Sequence, residues 1–190
     1  MKILHSNLIG DSKRDLFIIH GFLGMGDNWK THAKKIAEND FRVHLIDLRN
    51  HGKSFWSNDF SFEIMVDDLY KYAEYYNIKK FSFLGHSMGG NIGMLFAQKF
   101  PELLEKIIIV DIIPKEYKPL HETILNGLKS IDFNKIKSRK HVDSHLSKYI
   151  SDERVRQFLL KNLYWVDKEN LGLKFNIDVL FDFKERLSIK

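Results

Sequence analysis

An α/β architecture, a mostly parallel sheet with helices on its faces, follows from three features of this 190-residue chain. From Asp15 to Pro114, short β-rich runs alternate with longer segments of helical period, the pattern of stacked strand-helix-strand units. The runs are nearly continuous in apolar residues, as strands covered on both faces require. The last helix of the series stops at a proline, and the turn before it is rich in glycine.

Taken in order, Leu16 to Ile19 is the first strand and Trp29, Ala33, Ile36 and Ala37 form the apolar stripe of the first helix. Phe41 to Ile46 is the second strand. Phe62, Val66, Leu69, Ala73 and Tyr76 mark a second helix behind the N-cap candidate Ser61. Phe81 to Leu84 is the third strand, and Ile92, Leu95, Phe96 and Phe100 stripe a third helix that Pro101 ends, since proline donates no amide proton. Ile107 to Val110 is the fourth. Each run is expected inside a sheet.

After Pro114 the period is helical: Leu120, Ile124 and Leu128, then Val142, Leu146 and Tyr149, then Val155, Phe158, Leu159 and Leu163. These three helices predict a separate layer. The segment 175–190 fits a helix through Val179, Leu180, Phe183 and Leu187, or a strand through Phe175, Ile177, Val179 and Phe181; helix is the expectation. With no repeat or flexible linker, the expectation is a single domain over 1–190, a sheet core over 1–114 and a helical cap-like region over 115–190.

Composition narrows the function classes. With 30 Lys and Arg against 25 Asp and Glu the net charge is +5 and the pI about 9.2, yet basic and acidic residues are interspersed, so a nucleic-acid partner is not expected. Disulfide and thiol chemistry are excluded by the lack of cysteine. The histidines lack the paired spacing of metal sites, and neither glycine cluster completes a phosphate loop; no metal or cofactor is expected. No apolar run approaches the roughly 20 residues of a membrane span. Met1 to Asp11 shows no export signal, which reads as a cytoplasmic chain.

The chemistry concentrates in Gly85-His86-Ser87-Met88-Gly89-Gly90, a G-x-S-x-G sequence between a strand and a helix. A serine hydroxyl becomes a nucleophile when it is exposed on a tight turn, near a base, with amides ready for an oxyanion. Gly85 and Gly89 admit that turn. A second motif, His20-Gly21-Phe22-Leu23-Gly24, follows the first strand. His20 reads as a residue that orients this loop.

Through these two motifs and Asp47-Leu48-Arg49-Asn50-His51-Gly52-Lys53-Ser54 between them, the chain resembles the α/β-hydrolase family, and within it the small bacterial carboxylesterases of the YbfF type. Arg49 to Gly52 and Asp111 to Pro114 match stretches of that group. The resemblance implies Ser87 as nucleophile, Met88 and Phe22 as amide donors, and Asp111 as triad acid at the end of its strand, where functional groups of parallel sheets gather. Asp111 is alternatively a residue that caps the turn ahead of Pro114. Asp47, Arg49 and His51 read as loop braces. Gly21, Gly85, His86 and Gly89 support the two loops.

In this fold the base is a histidine after the acid, and only His121, His141 and His145 follow Asp111, all in helical patterns. The family's last strands, final helix and catalytic histidine are therefore expected to be missing. Loss of a triad member costs on the order of 10⁶ in turnover in subtilisin, so the chain alone is expected to be nearly inactive unless His51, His121, His141, His145 or a second polypeptide supplies a base. Ile107 to Val110 would then be a bare edge, open to self-association or to a complementing C-terminal segment. Two functions follow: a serine hydrolase acting on a small acyl ester or thioester, with apolar cap residues such as Tyr164 and Trp165 lining an acyl pocket or, for most of them, packing as plain core, or an incomplete relative that acts as a binding module.

Overall fold

A computed structural model describes residues 2–112 and 122–183. The chain falls into two compact units divided between residues 116 and 117, and each is described by itself. Pro114, Leu120, His121 and Leu187 lie outside the described residues.

The first unit carries a five-stranded sheet in the order β1-β3-β2-β4-β5. Its strands are β1 (Ser6–Ile9), β2 (Asp15–Ile19), β3 (Arg42–Ile46), β4 (Phe81–His86) and β5 (Leu104–Val110). All neighbours are parallel except β1, which runs antiparallel to β3. Three helices belong to it: α1 (Lys30–Ala37), α2 (Phe62–Tyr75) and α3 (Met88–Lys99). The alternation of side chains along a strand divides the core in two. Leu16, Ile18, Val43, Leu45 and Leu84 pack with Ala33 of α1. On the other face Phe17 stacks on Phe81 with ring centroids 3.9 Å apart, and Phe81 and Phe83 meet Phe96 of α3.

Local signals act as their chemistry requires. The Ser61 hydroxyl accepts from the Ile64 amide and caps α2, and Phe100-Pro101 ends α3. The strand β1 was not expected, because its mixed residues Ser-Asn-Leu-Ile carry no apolar run; pairing with β3, not its own pattern, makes it a strand. At β5 the expectation that every apolar run lies inside the sheet gives way to the other expectation for Ile107 to Val110, a bare edge. This strand forms an edge of the sheet, and Ile107 and Ile108 are 39% and 53% exposed.

Polar residues join the amino-terminal ends of the strands. Arg42 Nε donates to Asp15 Oδ1 at 2.7 Å, His44 Nε2 lies 2.8 Å from the same oxygen, and Tyr72 Oη bridges His44 Nδ1 and Ser6 Oγ. These bonds satisfy the buried polar groups of Asp15, His44 and Tyr72 and help the strands keep one register.

The second unit holds α4 (Glu122–Lys129), α5 (Arg139–Leu146), α6 (Glu153–Leu160) and α7 (Ile177–Phe183), with a hairpin of β6 (Leu163–Trp165) and β7 (Leu171–Leu173). Ser138 and Asp152 cap α5 and α6 through their side-chain oxygens. Leu163, expected on the third helical stripe, instead opens β6. The hairpin is too short for its period to show in sequence: three residues a side alternate only once. Helix is the outcome for the ambiguous segment over Ile177–Phe183. Tyr164 and Trp165 are 40% and 57% exposed.

Candidate active site

Strand register brings the sequence motifs to one end of the sheet. Ile19 pairs with Ile46 of β3 and Gly85 of β4, and His86 pairs with Val110 of β5. Asp47, His20, Ser87 and Asp111 consequently follow the carboxyl ends of four adjacent strands. That is the position at which open α/β sheets hold their sites.

Ser87 stands between β4 and α3 with φ +50° and ψ −117°, a backbone state uncommon for a residue with a side chain and costing on the order of 1–3 kcal/mol. The surroundings that impose it are glycine contacts. A Cβ on Gly85 would lie 2.3 Å from the Gly89 carbonyl oxygen, and one on Gly89 would lie 2.4 Å from that of Ile19. These are backbone atoms that cannot swing aside, so the tight turn and the seating of α3 on β2 both depend on glycine. Ser87 O accepts from the Gly90 amide at 2.7 Å and the Asn91 amide at 3.2 Å. Met88 follows as the first residue of α3, and amides of a helix's first turn have no acceptor within the helix.

Gly21 crosses next to this turn: a Cβ there would sit 2.9 Å from His86 Nδ1 and 3.2 Å from Ser87 Cβ. Its carbonyl accepts from the Gly24 amide at 3.0 Å and contacts His20 Nδ1 at 2.8 Å. The Leu48 amide donates to His20 Nε2 at 3.0 Å, so Nδ1 carries the proton and donates to Gly21. In a planar trans peptide the Gly21 carbonyl and the Phe22 amide point in opposite directions. By fixing the carbonyl, His20 sets the direction of the Phe22 N–H.

The Arg49 to Ser54 stretch is a brace. Arg49 Nε and Nη2 donate to Asp68 Oδ2 and Oδ1 of α2 at 2.5 and 2.8 Å, and Nη1 donates to the Asp59 carbonyl at 2.7 Å. Asp47 accepts from the Gly26 and Lys53 amides at 2.7 and 2.9 Å. His51 is buried, with Nδ1 3.0 Å from the Arg49 carbonyl and, among the described residues, no hydrogen-bond partner at Nε2. Asp68 escaped notice in the sequence, although a carboxylate at the same helical face as Met65 and Tyr72 is a legible sign of a buried partner.

Asp111 lies one residue beyond β5 with φ +58°. It is 82% exposed, and its Oδ2 stands 3.6 Å from His86 Nε2. Of the other histidines considered as bases, His141 and His145 sit on α5 of the second unit, where His145 Nε2 is 2.9 Å from Ser130 Oγ. Among the described residues no group of three or more His, Cys, Asp or Glu could hold a metal ion, and no helix is long and apolar enough to cross a membrane.

Burial sets the protonation of the inner histidines. It holds His20 and His44 below their ordinary range, and it pushes His51 down to about 3, aided by neighbouring His20. The native protein keeps these rings neutral while the unfolded chain takes up protons below about pH 6.5. Stability is therefore expected to fall as pH drops through 6.5, by up to about 1.4 kcal/mol per pH unit for each ring, continuing toward pH 3 for His51. Urea midpoints from pH 7.5 to 5 check this: His51→Phe should flatten the slope by one proton, and a pH-independent wild-type midpoint would contradict it.

Residues 16–134 match the family model for the alpha/beta hydrolase fold. Esterase YbfF of Escherichia coli is 30% identical over 168 residues, a match spanning 88% of this chain and 64% of the relative. The sn-1-specific diacylglycerol lipase ABHD11 of Danio rerio is 35% identical over 186 residues, spanning 93% of this chain and 57% of the relative. Among solved structures, a marine microorganism esterase superposes with a TM-score of 0.95 at 35% identity, over 100% of this chain and 76% of that one. The chain thus spans less than two thirds of the length of these two curated relatives.

Proposed function

Because the chain belongs to the α/β-hydrolase fold family, we propose that it is a serine hydrolase of the carboxylesterase or thioesterase type. Ser87 attacks the carbonyl carbon of a small acyl ester or thioester, and the Phe22 and Met88 amides hold the oxygen that becomes negative. The observation that carries this reading is the strained Ser87 backbone at the strand-to-helix turn, with Gly21 packed beside its Cβ. Backbone strain of this kind persists where the surroundings enforce it, as at active sites. Relatives named as esterase and lipase support the ester class.

Electrostatics agree with the assignment. Amides aimed at a developing oxyanion from a rigid turn need no reorganisation as charge forms, and removal of one such donor costs about 10²–10³ in turnover. His20 contributes as a positioning residue, through the peptide it orients. Asp111 contributes a carboxylate at the strand end beside the elbow.

The test is covalent. A fluorophosphonate probe is expected to add one adduct per chain, mapped to Ser87, and Ser87→Ala should remove it. Probe-reactive protein should also release 4-nitrophenol from acyl esters. Absence of any adduct would reject the hydrolase reading for this chain and favour the binding-module alternative, in which the open β5 edge with Ile107 and Ile108 pairs with another strand.

A further inference from the structure

The hairpin of the second unit departs from the pattern of a strand pair lying on a core. Across β6 and β7, Leu163 pairs with Leu173, Trp165 with Leu171, and Tyr164 with Gly172. Directly paired residues share a face, so one face holds Leu163, Leu171 and Leu173, all buried, together with Trp165. The other holds Tyr164 and, two residues on, Val166. A Cβ on Gly172 would meet Val166 Cγ2 at 2.8 Å and Tyr164 Cε1 at 3.1 Å, which places both side chains over that glycine. The outward face of an antiparallel pair is ordinarily polar, but here it is apolar. Trp165 is open to solvent although it shares the inward face, and Val166 is 56% exposed, so the end of β6 projects past the core.

We propose that this tip, formed by Tyr164, Trp165 and Val166, docks the chain on an anionic lipid surface. Its size and shape favour lipid over a protein partner. Three side chains from one strand end fall far short of the roughly 20–30 residues a side of a stable protein interface. A projecting tip that is apolar on both faces is instead enclosed on every side when it enters the headgroup layer of a bilayer. Tyrosine and tryptophan suit that layer, because the ring lies among apolar chains while the O–H or N–H stays with water.

Charge around the tip selects an anionic surface. Lys161 and Lys168 flank it in the chain, and both are exposed. Lys137 Nζ donates to Asn170 Oδ1 at 2.5 Å and brings a third ammonium to the hairpin turn. Of the acids beside the tip, Asp167 faces its own turn: Oδ1 accepts from the Glu169 and Asn170 amides at 2.8 Å each, and Oδ2 accepts from Asn170 Nδ2 at 2.8 Å. Glu169 is exposed. The lysines therefore outnumber the carboxylates that face solvent here, and most of the chain's net charge of +5 falls in the second unit. Each lysine held near an anionic leaflet is worth about fivefold in affinity. With so short an apolar segment, attachment is reversible and needs both the tip and the lysines.

The experiment sediments the full chain with vesicles of phosphatidylcholine alone and of phosphatidylcholine with about one third phosphatidylserine. Binding is expected to the mixed vesicles, falling steeply between about 0.05 and 0.5 M salt, with little to phosphatidylcholine alone. Trp165→Ser combined with Val166→Ser should weaken it about tenfold or more, and Lys161→Gln with Lys168→Gln about 25-fold. Brominated acyl chains should quench the fluorescence of wild type but not of Trp165→Phe, whose remaining tryptophans, Trp29 and Trp56, belong to the first unit. The substituted side chains are exposed, so circular dichroism and the thermal midpoint should match wild type. Absence of binding to the anionic vesicles, equal binding to both compositions, or wild-type binding by the folded tip variant would each overturn the proposal. A wild-type dimer that the tip variant makes monomeric, without vesicle binding, would assign the tip to a second copy of the chain instead. The readout is binding and not turnover, so neither outcome touches the reading of Ser87.

Discussion

Arg49→Ala is expected to remove about 3–5 kcal/mol of stability, the cost of leaving one member of a buried ion pair uncompensated. The Arg49 and Asp68 side chains are only 9% and 5% exposed, and two parallel N–H to oxygen bonds join them. Truncating the arginine strands the Asp68 carboxylate in a site from which water is excluded, and it also frees the Asp59 carbonyl. Against a typical total of about 5–15 kcal/mol, such a loss leaves a marginal fold. Asp68→Ala should cost a similar amount by stranding the guanidinium. Replacing both by apolar residues, Arg49→Met with Asp68→Leu, should recover most of it, because the desolvation cost disappears with the charges. Urea unfolding of the three variants measures all of this. A single-variant loss under about 1 kcal/mol would show that the pair behaves like an exposed one.

His20→Phe is expected to slow hydrolysis of 4-nitrophenyl acetate by about 100-fold in kcat with little change in KM. Phenylalanine keeps the ring volume but loses both bonds, the one from Nδ1 to the Gly21 carbonyl and the one from the Leu48 amide to Nε2. The Gly21-Phe22 peptide can then rotate, and the Phe22 amide, which we propose as an oxyanion donor, loses its fixed direction; such a loss matters in the transition state more than in substrate binding. His20→Gln, with a donor and an acceptor at its tip, should recover part of the rate. Equal losses in kcat and affinity, or no loss in either, would place His20 outside the positioning of that amide.

Much of this molecule was legible in its residues. Continuous apolar runs identified β2, β3 and β4 because those strands are covered on both faces, and Ser61 and Pro101 marked helix ends through local hydrogen bonding that needs no distant partner. The spacing of Gly85, Ser87 and Gly89 between a strand and a helix pointed to the tight turn at Ser87 for the same reason, since such a turn is a local event. The role of His20 as a loop-orienting residue was also readable, because a histidine between a strand and a glycine has few backbone groups within reach.

What escaped sequence reasoning depended on pairing across the fold. The strand β1 exists because β3 offers it an edge, and β6 and β7 exist because each satisfies the other's backbone. Asp68 became the partner of Arg49, and His86 that of Asp111, only when α2 and β5 were packed beside the loops. Residue types and short spacings determined the local turns, caps and covered strands, since these follow from dihedral preference and burial within a few residues. The tertiary structure alone decided which charges meet and which atoms border Ser87, because those contacts join residues from different strands and helices, and chain proximity does not encode them.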